Sequence, residues 1–112
     1  MNDRELLKLA ARAIGGDAVW SDIDGNLYTC SPERSWNPLD DDGDAMRLSS
    51  SLYLDVCFYR GFEEVIVQGE GTKDTPNSLV EILEVRESFG IDIASATRRA
   101  IVRAAAEIGR VM

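Results

Sequence analysis

Apolar residues recur at helical spacing near both ends of the chain. In residues 6–14 they return every three or four positions, behind a capping box formed by Asn2 and Glu5. This pattern predicts a first helix over about residues 3–14. Near the other end, apolar side chains fall on one face and arginines on the opposite face, which predicts a long helix over about residues 94–111.

Between these helices, alternation of apolar and polar residues is typical of strands. Residues 18–30 place Asp24 and Gly25, a dipeptide suited to a two-residue turn, between two short apolar runs. A first β-hairpin is therefore expected there. Residues 54–59 alternate in the same way and residues 64–68 resume the pattern, which predicts a second hairpin.

The remaining segments have less regular patterns. Residues 31–38 contain two prolines among polar residues and are expected to form a loop. A short second helix is expected over about residues 41–52, and a polar, glycine-rich loop over residues 69–77. Residues 80–87 fit either a strand or a helix, and we favour the strand.

These elements predict one α+β domain. A chain of 112 residues is too short to divide between two useful cores, so about three helices and four or five strands must share one. No apolar run approaches the roughly 20 residues that span a bilayer. The charged opening does not have the pattern of a signal peptide, and the protein is expected in the cytoplasm.

Charge restricts the class of partner. Twenty acidic and twelve basic residues give a net charge of −8, which repels phosphate backbones and anionic lipids, so neither nucleic acid nor a membrane is an expected partner. Residues 40–92 carry thirteen acids and four bases, whereas residues 93–112 carry one acid and four bases. This asymmetry suggests charge complementarity, either inside the chain or between two copies.

The residue types available for catalysis are few. The chain has no histidine, which removes the commonest general base and zinc ligand, and we expect neither an enzyme nor a cofactor. Cys30 and Cys57 stand singly in apparent strands, without the spacing of a metal clip. Asp22 and Glu33 match the ends of a calcium loop, but a hairpin turn explains the same segment, and no metal site is assigned.

The start of the second predicted helix is the candidate binding site. Helix capping uses at most two of its four carboxylates, Asp40, Asp41, Asp42 and Asp44, and the surplus could bind a partner or a cation. Trp36 lies in a proline-bracketed loop, where it is hard to place in a core and could anchor a partner. We therefore assign these five residues to partner binding.

Two segments resemble the signature segments of a family of small bacteriophage and prophage proteins, the phage ABA sandwich domain. They are residues 36–48 and residues 96–109, about a quarter of the chain, and the order of elements is also similar. The resemblance implies an α/β/α-like sandwich, with about three helices on a mostly antiparallel sheet of four to five strands, in a bacterial cytoplasm. The family has no established activity to transfer. Residues assigned to structure and charge pairing within the two segments are Asn37, Pro38, Gly43, Arg98, Arg99 and Arg103. The three arginines are expected to reach the acids at the start of the second helix.

The sequence therefore favours a non-enzymatic accessory protein of a phage or prophage that contacts a host or phage protein. One concrete version inhibits a host defence or regulatory factor, because an acidic surface can compete for a groove that binds nucleic acid. Two alternatives stay open. One is a metal-binding protein or enzyme built on the acidic cluster, and the other is a homodimer whose basic final helix meets the acidic face of a second copy.

Overall fold

A computed structural model describes residues 2–15, 18–21, 26–30, 33–70 and 82–111. Within them lie three helices, α1 (Asp3–Ala13), α2 (Asp42–Ser51) and α3 (Ile93–Arg110). Six strands form two antiparallel sheets, β1 (Ala18–Ser21), β2 (Asn26–Cys30) and β3 (Glu33–Trp36) in the first and β4 (Asp55–Tyr59), β5 (Glu64–Glu70) and β6 (Ile82–Ser88) in the second. The α+β class is confirmed.

Each helix begins at a polar side chain that accepts a hydrogen bond from the first turn. Asn2 accepts from the backbone N–H of Glu5 at 2.9 Å, as the capping box predicts. The Asp41 carboxylate caps α2 and the Asp92 carboxylate caps α3. These carboxylates also face the positive end of the helix dipole, which explains part of the acidic character of these segments.

The segment that was expected to be a loop contains a strand. β3 pairs with β2 in an antiparallel register that places Glu33 opposite Cys30 and Trp36 opposite Leu27. The prediction of a loop over residues 31–38 was wrong there because Pro32 and Pro38 flank the strand in sequence without interrupting it. The described strands therefore belong to two three-stranded sheets, not to one sheet of four or five.

The other strand predictions are confirmed where the structure describes them. β4 and β5 form the second hairpin, joined through the 3-10 turn Arg60–Phe62. β6 pairs with β5 and settles the ambiguous segment as a strand from residue 82 onward. The expected turn at residues 22–25, and residues 71–81, which hold most of the predicted polar loop, lie outside the described residues. In the described part of the chain, no helix combines the length and the apolar character that crossing a membrane needs.

The hydrophobic core forms where α3 packs on one face of the second sheet. Its sheet side includes Val65 and Val67 of β5, both fully buried, with Val85 of β6 beside them. α3 also contacts α1 and α2, so it lies at the centre of the described structure. The opposite face of the second sheet carries no described helix.

α1 and α3 approach each other closely enough for their backbones to meet. A Cβ atom added to Gly109 would lie 1.9 Å from the carbonyl oxygen of Leu9, which is far inside van der Waals contact. Both helices also contribute buried alanines to the core, namely Ala10, Ala11, Ala100, Ala104, Ala105 and Ala106. Small side chains therefore set the distance between the two helices.

We expect Gly109→Ala to destabilise the protein by about 2–3 kcal/mol or more, because the added methyl group meets backbone atoms that cannot rotate away. Gly61→Ala is the matched control, since a Cβ atom there has no other atom within 4 Å. Urea unfolding followed by circular dichroism measures both. Equal stability of the two variants would contradict the close contact.

Candidate functional site

The acidic start of α2 is held by hydrogen bonds within the chain. Asp41 accepts from the backbone N–H of Asp44 at 2.8 Å. The carboxylate of Asp44 is almost fully buried, and it accepts from the backbone N–H of Asn37 at 2.9 Å and from the guanidinium of Arg47 at 2.8 Å. Asp40 accepts from the side-chain amide of Asn37 at 3.2 Å. These contacts fasten the end of β3 to the first turn of α2.

Asp42 connects this cluster to the final helix. Its carboxylate pairs with Arg98 of α3 at 2.6 Å, and the same guanidinium donates to the carbonyl oxygen of Leu39 at 2.8 Å. All four candidate carboxylates therefore have partners inside the chain. Among the described residues, no group of three or more side chains is arranged to hold a metal ion. Gly43 leaves room for this network, since a Cβ atom there would lie 3.2 Å from both Arg47 and Asp41.

Only one of the three arginines predicted to reach these acids does so. Arg98 contacts Asp42, but Arg99 pairs with Asp3 of α1 at 3.4 Å. Arg103 pairs with Glu87 and donates to the carbonyl oxygen of Arg86 at 3.1 Å, both on β6. The prediction failed for Arg99 and Arg103 because successive helical residues turn by about 100°. The basic helix thus pairs its charge inside the chain, with three different elements.

Trp36 lies in the core and not at the surface. Only 3% of it is exposed, within the same cluster of buried residues as Leu48 and Ala45 of α2. The expectation that Trp36 could not be placed inside was wrong, because the segment that carries it is a strand and not a loop. Its indole ring is not available to anchor a partner at the surface.

The face of the second sheet that no described helix covers combines aromatic rings and carboxylates. The register of β4, β5 and β6 places nine side chains on this open face, namely Asp55, Cys57, Tyr59, Glu64, Ile66, Gln68, Glu84, Arg86 and Ser88. Phe62, in the 3-10 turn, joins Tyr59 and Ile66 around a shallow cavity of about 190 Å³. Phe62 is 78% exposed and Tyr59 is 44% exposed. The sequence pattern alone did not reveal this surface, although the alternation of β4 already placed Tyr59 and Cys57 on one face.

Hydrogen bonds hold the carboxylate of Glu84 in the charged form. The side-chain amide of Gln68 donates to it at 2.9 Å and Arg86 donates at 3.2 Å, and together they lower the pKa of Glu84 below its ordinary value. Because the pKa is lowered on folding, the associated stabilisation is present above the unfolded pKa and is lost as pH falls through the folded pKa. Glu84 therefore contributes a negative charge to the open face in neutral solution.

An apolar groove lies on the helix side of the second sheet. It has a volume of about 460 Å³ between α2, β4 and α3. Three exposed apolar side chains border it, Met46 of α2, Phe58 of β4 and Ile93 of α3. The Asp42–Arg98 ion pair also lines this groove, so its charged groups are already matched.

We expect Asp44→Ala to destabilise the protein by about 1–3 kcal/mol, because it removes the acceptor for the Asn37 N–H in a nearly buried position. Asp40→Ala is the control and should cost about 0.5 kcal/mol or less, since this carboxylate is exposed and its bond to Asn37 is longer. Urea unfolding at neutral pH compares the two. A cost for Asp40→Ala as large as that for Asp44→Ala would contradict the assigned network.

Comparisons with protein-family models, with curated proteins and with solved structures find no match to this chain.

Proposed function

We propose that this protein is a non-enzymatic interaction module that binds another protein through the open face of its second sheet. The observation that carries the proposal is the exposure of Phe62 and Tyr59 among carboxylates on a sheet face that no described helix covers. Aromatic side chains are enriched in protein interfaces, where their large surface is removed from water. An antiparallel sheet needs only one buried face for its stability, so the other is free to bind.

The charge of the open face supports a basic partner. Asp55, Glu64 and Glu84 contribute three carboxylates and Arg86 one base. The net charge of −8 adds a long-range attraction toward positive surfaces. Such a partner is a host or phage protein whose groove otherwise binds nucleic acid. Occupying that groove would inhibit a host defence or regulatory factor.

The residue types in the chain support a binding role. The chain has no histidine, and the carboxylates that could have served as acid or base are hydrogen-bonded within the fold. Asp41 and Asp42 remain more than half exposed. Partner binding at the start of α2 therefore stays a second prediction, in addition to binding at the open face. The resemblance of residues 36–48 and 96–109 to the phage ABA sandwich domain supports a phage or prophage origin and action in the cytoplasm of a bacterial host.

Capture from a lysate of the bacterium that carries the gene tests this function. We expect the immobilised protein to retain one stoichiometric protein at low salt, and less of it at moderate salt because the attraction is partly electrostatic. The double variant Tyr59→Ala with Phe62→Ala should lower the retained amount at least about tenfold, since it removes both exposed aromatic rings.

Val111→Ala is the matched control, because it also removes exposed apolar surface but lies at the end of α3, on the helix side of the sheet. It should capture as much partner as the unchanged protein. Recovery of the immobilised protein alone, or equal capture by the double variant, would contradict the proposal. Circular dichroism of both variants confirms that each is folded.

A further inference from the structure

β4 is an edge strand without the features that usually protect such edges. In the described part of the chain it pairs on one side only, with β5. Its five residues, Asp55–Tyr59, contain no proline and no lysine, and the one charge is at the first position. Exposed edges of this kind offer free N–H and C=O groups to another strand.

The opposite edge of the same sheet is protected. β6 carries Glu84, Arg86 and Glu87 within seven residues. In addition, Arg103 of α3 donates to the backbone carbonyl of Arg86 and pairs with Glu87, so a guanidinium lies across this strand. Charged side chains on an edge oppose pairing with a second sheet. The two edges therefore differ, and only the β4 edge favours pairing.

Exposed apolar side chains lie beside the unprotected edge. Phe58 is 57% exposed although its neighbours on the same face of the sheet, Val65 and Val67, are fully buried. Met46 and Ile93 lie across the groove from it, 67% and 48% exposed. These three side chains form one exposed apolar patch, and such patches often mark protein interaction sites.

We propose that a second copy of the chain covers this surface, by antiparallel pairing of β4 with β4 of the second copy about a twofold axis at Cys57. In this register Val56 lies opposite Phe58 of the second copy, and Asp55 lies opposite Tyr59 of the second copy. No two like charges face each other, and an aliphatic side chain meets an aromatic one on the groove side. The strand is therefore complementary to itself.

The available area suits a dimer. Three large apolar side chains beside the edge, on the groove side, are exposed by 48–67%, namely Ile93, Phe58 and Met46. With about 200 Å² for each side chain, two copies bring about 700 Å² of exposed apolar surface. The paired backbones and the polar rim add to this, and specific interfaces begin at about 1,200 Å² in total.

The charge of the chain does not prevent this pairing. Two copies with a net charge of −8 repel each other at long range, but the groove holds the matched pair of Asp42 and Arg98. Added salt should therefore favour the dimer, whereas it should weaken contacts to a basic partner. This opposite response separates self-association from the proposed function.

The dimer goes beyond the proposed function and extends its surface. A twofold axis perpendicular to the sheet keeps both open faces on the same side, because antiparallel partners directly opposite each other point the same way. The second sheets of the two copies, with three strands each, become one sheet of six strands. The two cavities beside Tyr59 and Phe62 then belong to one continuous surface that a single copy does not present.

Analytical ultracentrifugation of the whole protein tests the dimer. We expect a particle of twice the 12.4 kDa chain mass, with a larger dimer fraction at higher salt. Phe58→Lys should weaken self-association at least about tenfold, because a lysine on the edge strand opposes pairing. Phe62→Lys, an equal change at a more exposed aromatic residue outside β4, should remain dimeric although it weakens partner capture.

If the unchanged protein were a monomer at all concentrations, the proposal would be overturned. It would also be overturned if Phe58→Lys and Phe62→Lys weakened the dimer equally. Should Phe58→Lys not fold, Met46→Lys on α2 provides the same test through the groove.

The register has its own test in a Cys30→Ser background. Opposed β-strand residues lie about 4.5–5.5 Å apart, within disulfide range, so oxidation with diamide should link Cys57 of the two copies. A dimer that fails to crosslink would overturn the axis at Cys57.

Discussion

The contact between the backbones of α1 and α3 is the constraint on which the rest of the described structure depends. Gly109 lets the carbonyl oxygen of Leu9 approach a position that no other residue would leave free. Held there, α3 packs on β5 and β6 with one side and on α1 and α2 with others. Its arginines therefore reach three different elements, and α3 covers one face of the second sheet while no described helix covers the other. Both the proposed binding surface and the free β4 edge are consequences of where α3 lies.

The acidic start of α2 shows how a conspicuous charge cluster can serve the fold. A helix start collects carboxylates because its free N–H groups and its dipole favour them. In this protein Asp44 also fastens the end of β3, and Asp42 binds Arg98 of α3. The cluster thus joins a strand and two helices. The exposed surface proposed for binding lies on the open face of the second sheet, beside Phe62 in the turn between β4 and β5.

Much of the fold could be predicted from the sequence, because helical and strand periodicity are local. The capping box at Asn2 and the alternation in β4 were enough to place α1 and the second hairpin. The burial of Trp36 could not be predicted, since it depends on β3 pairing with β2 and on distant contacts to α2. Partners of the α3 arginines likewise depend on which elements surround the helix. To predict the open face, one must know which side of the second sheet α3 covers, and the local sequence pattern does not contain that information.

Hydrogen exchange of the backbone amides at two protein concentrations tests the proposed pairing of two copies at β4. Pairing would place the outward N–H groups of Asp55–Tyr59 in hydrogen bonds, and those of an edge strand otherwise exchange readily. With pairing, we expect exchange in β4 to slow as concentration rises, while exchange in β6, the protected edge, stays the same. Exchange in β4 that is fast and independent of concentration would contradict it.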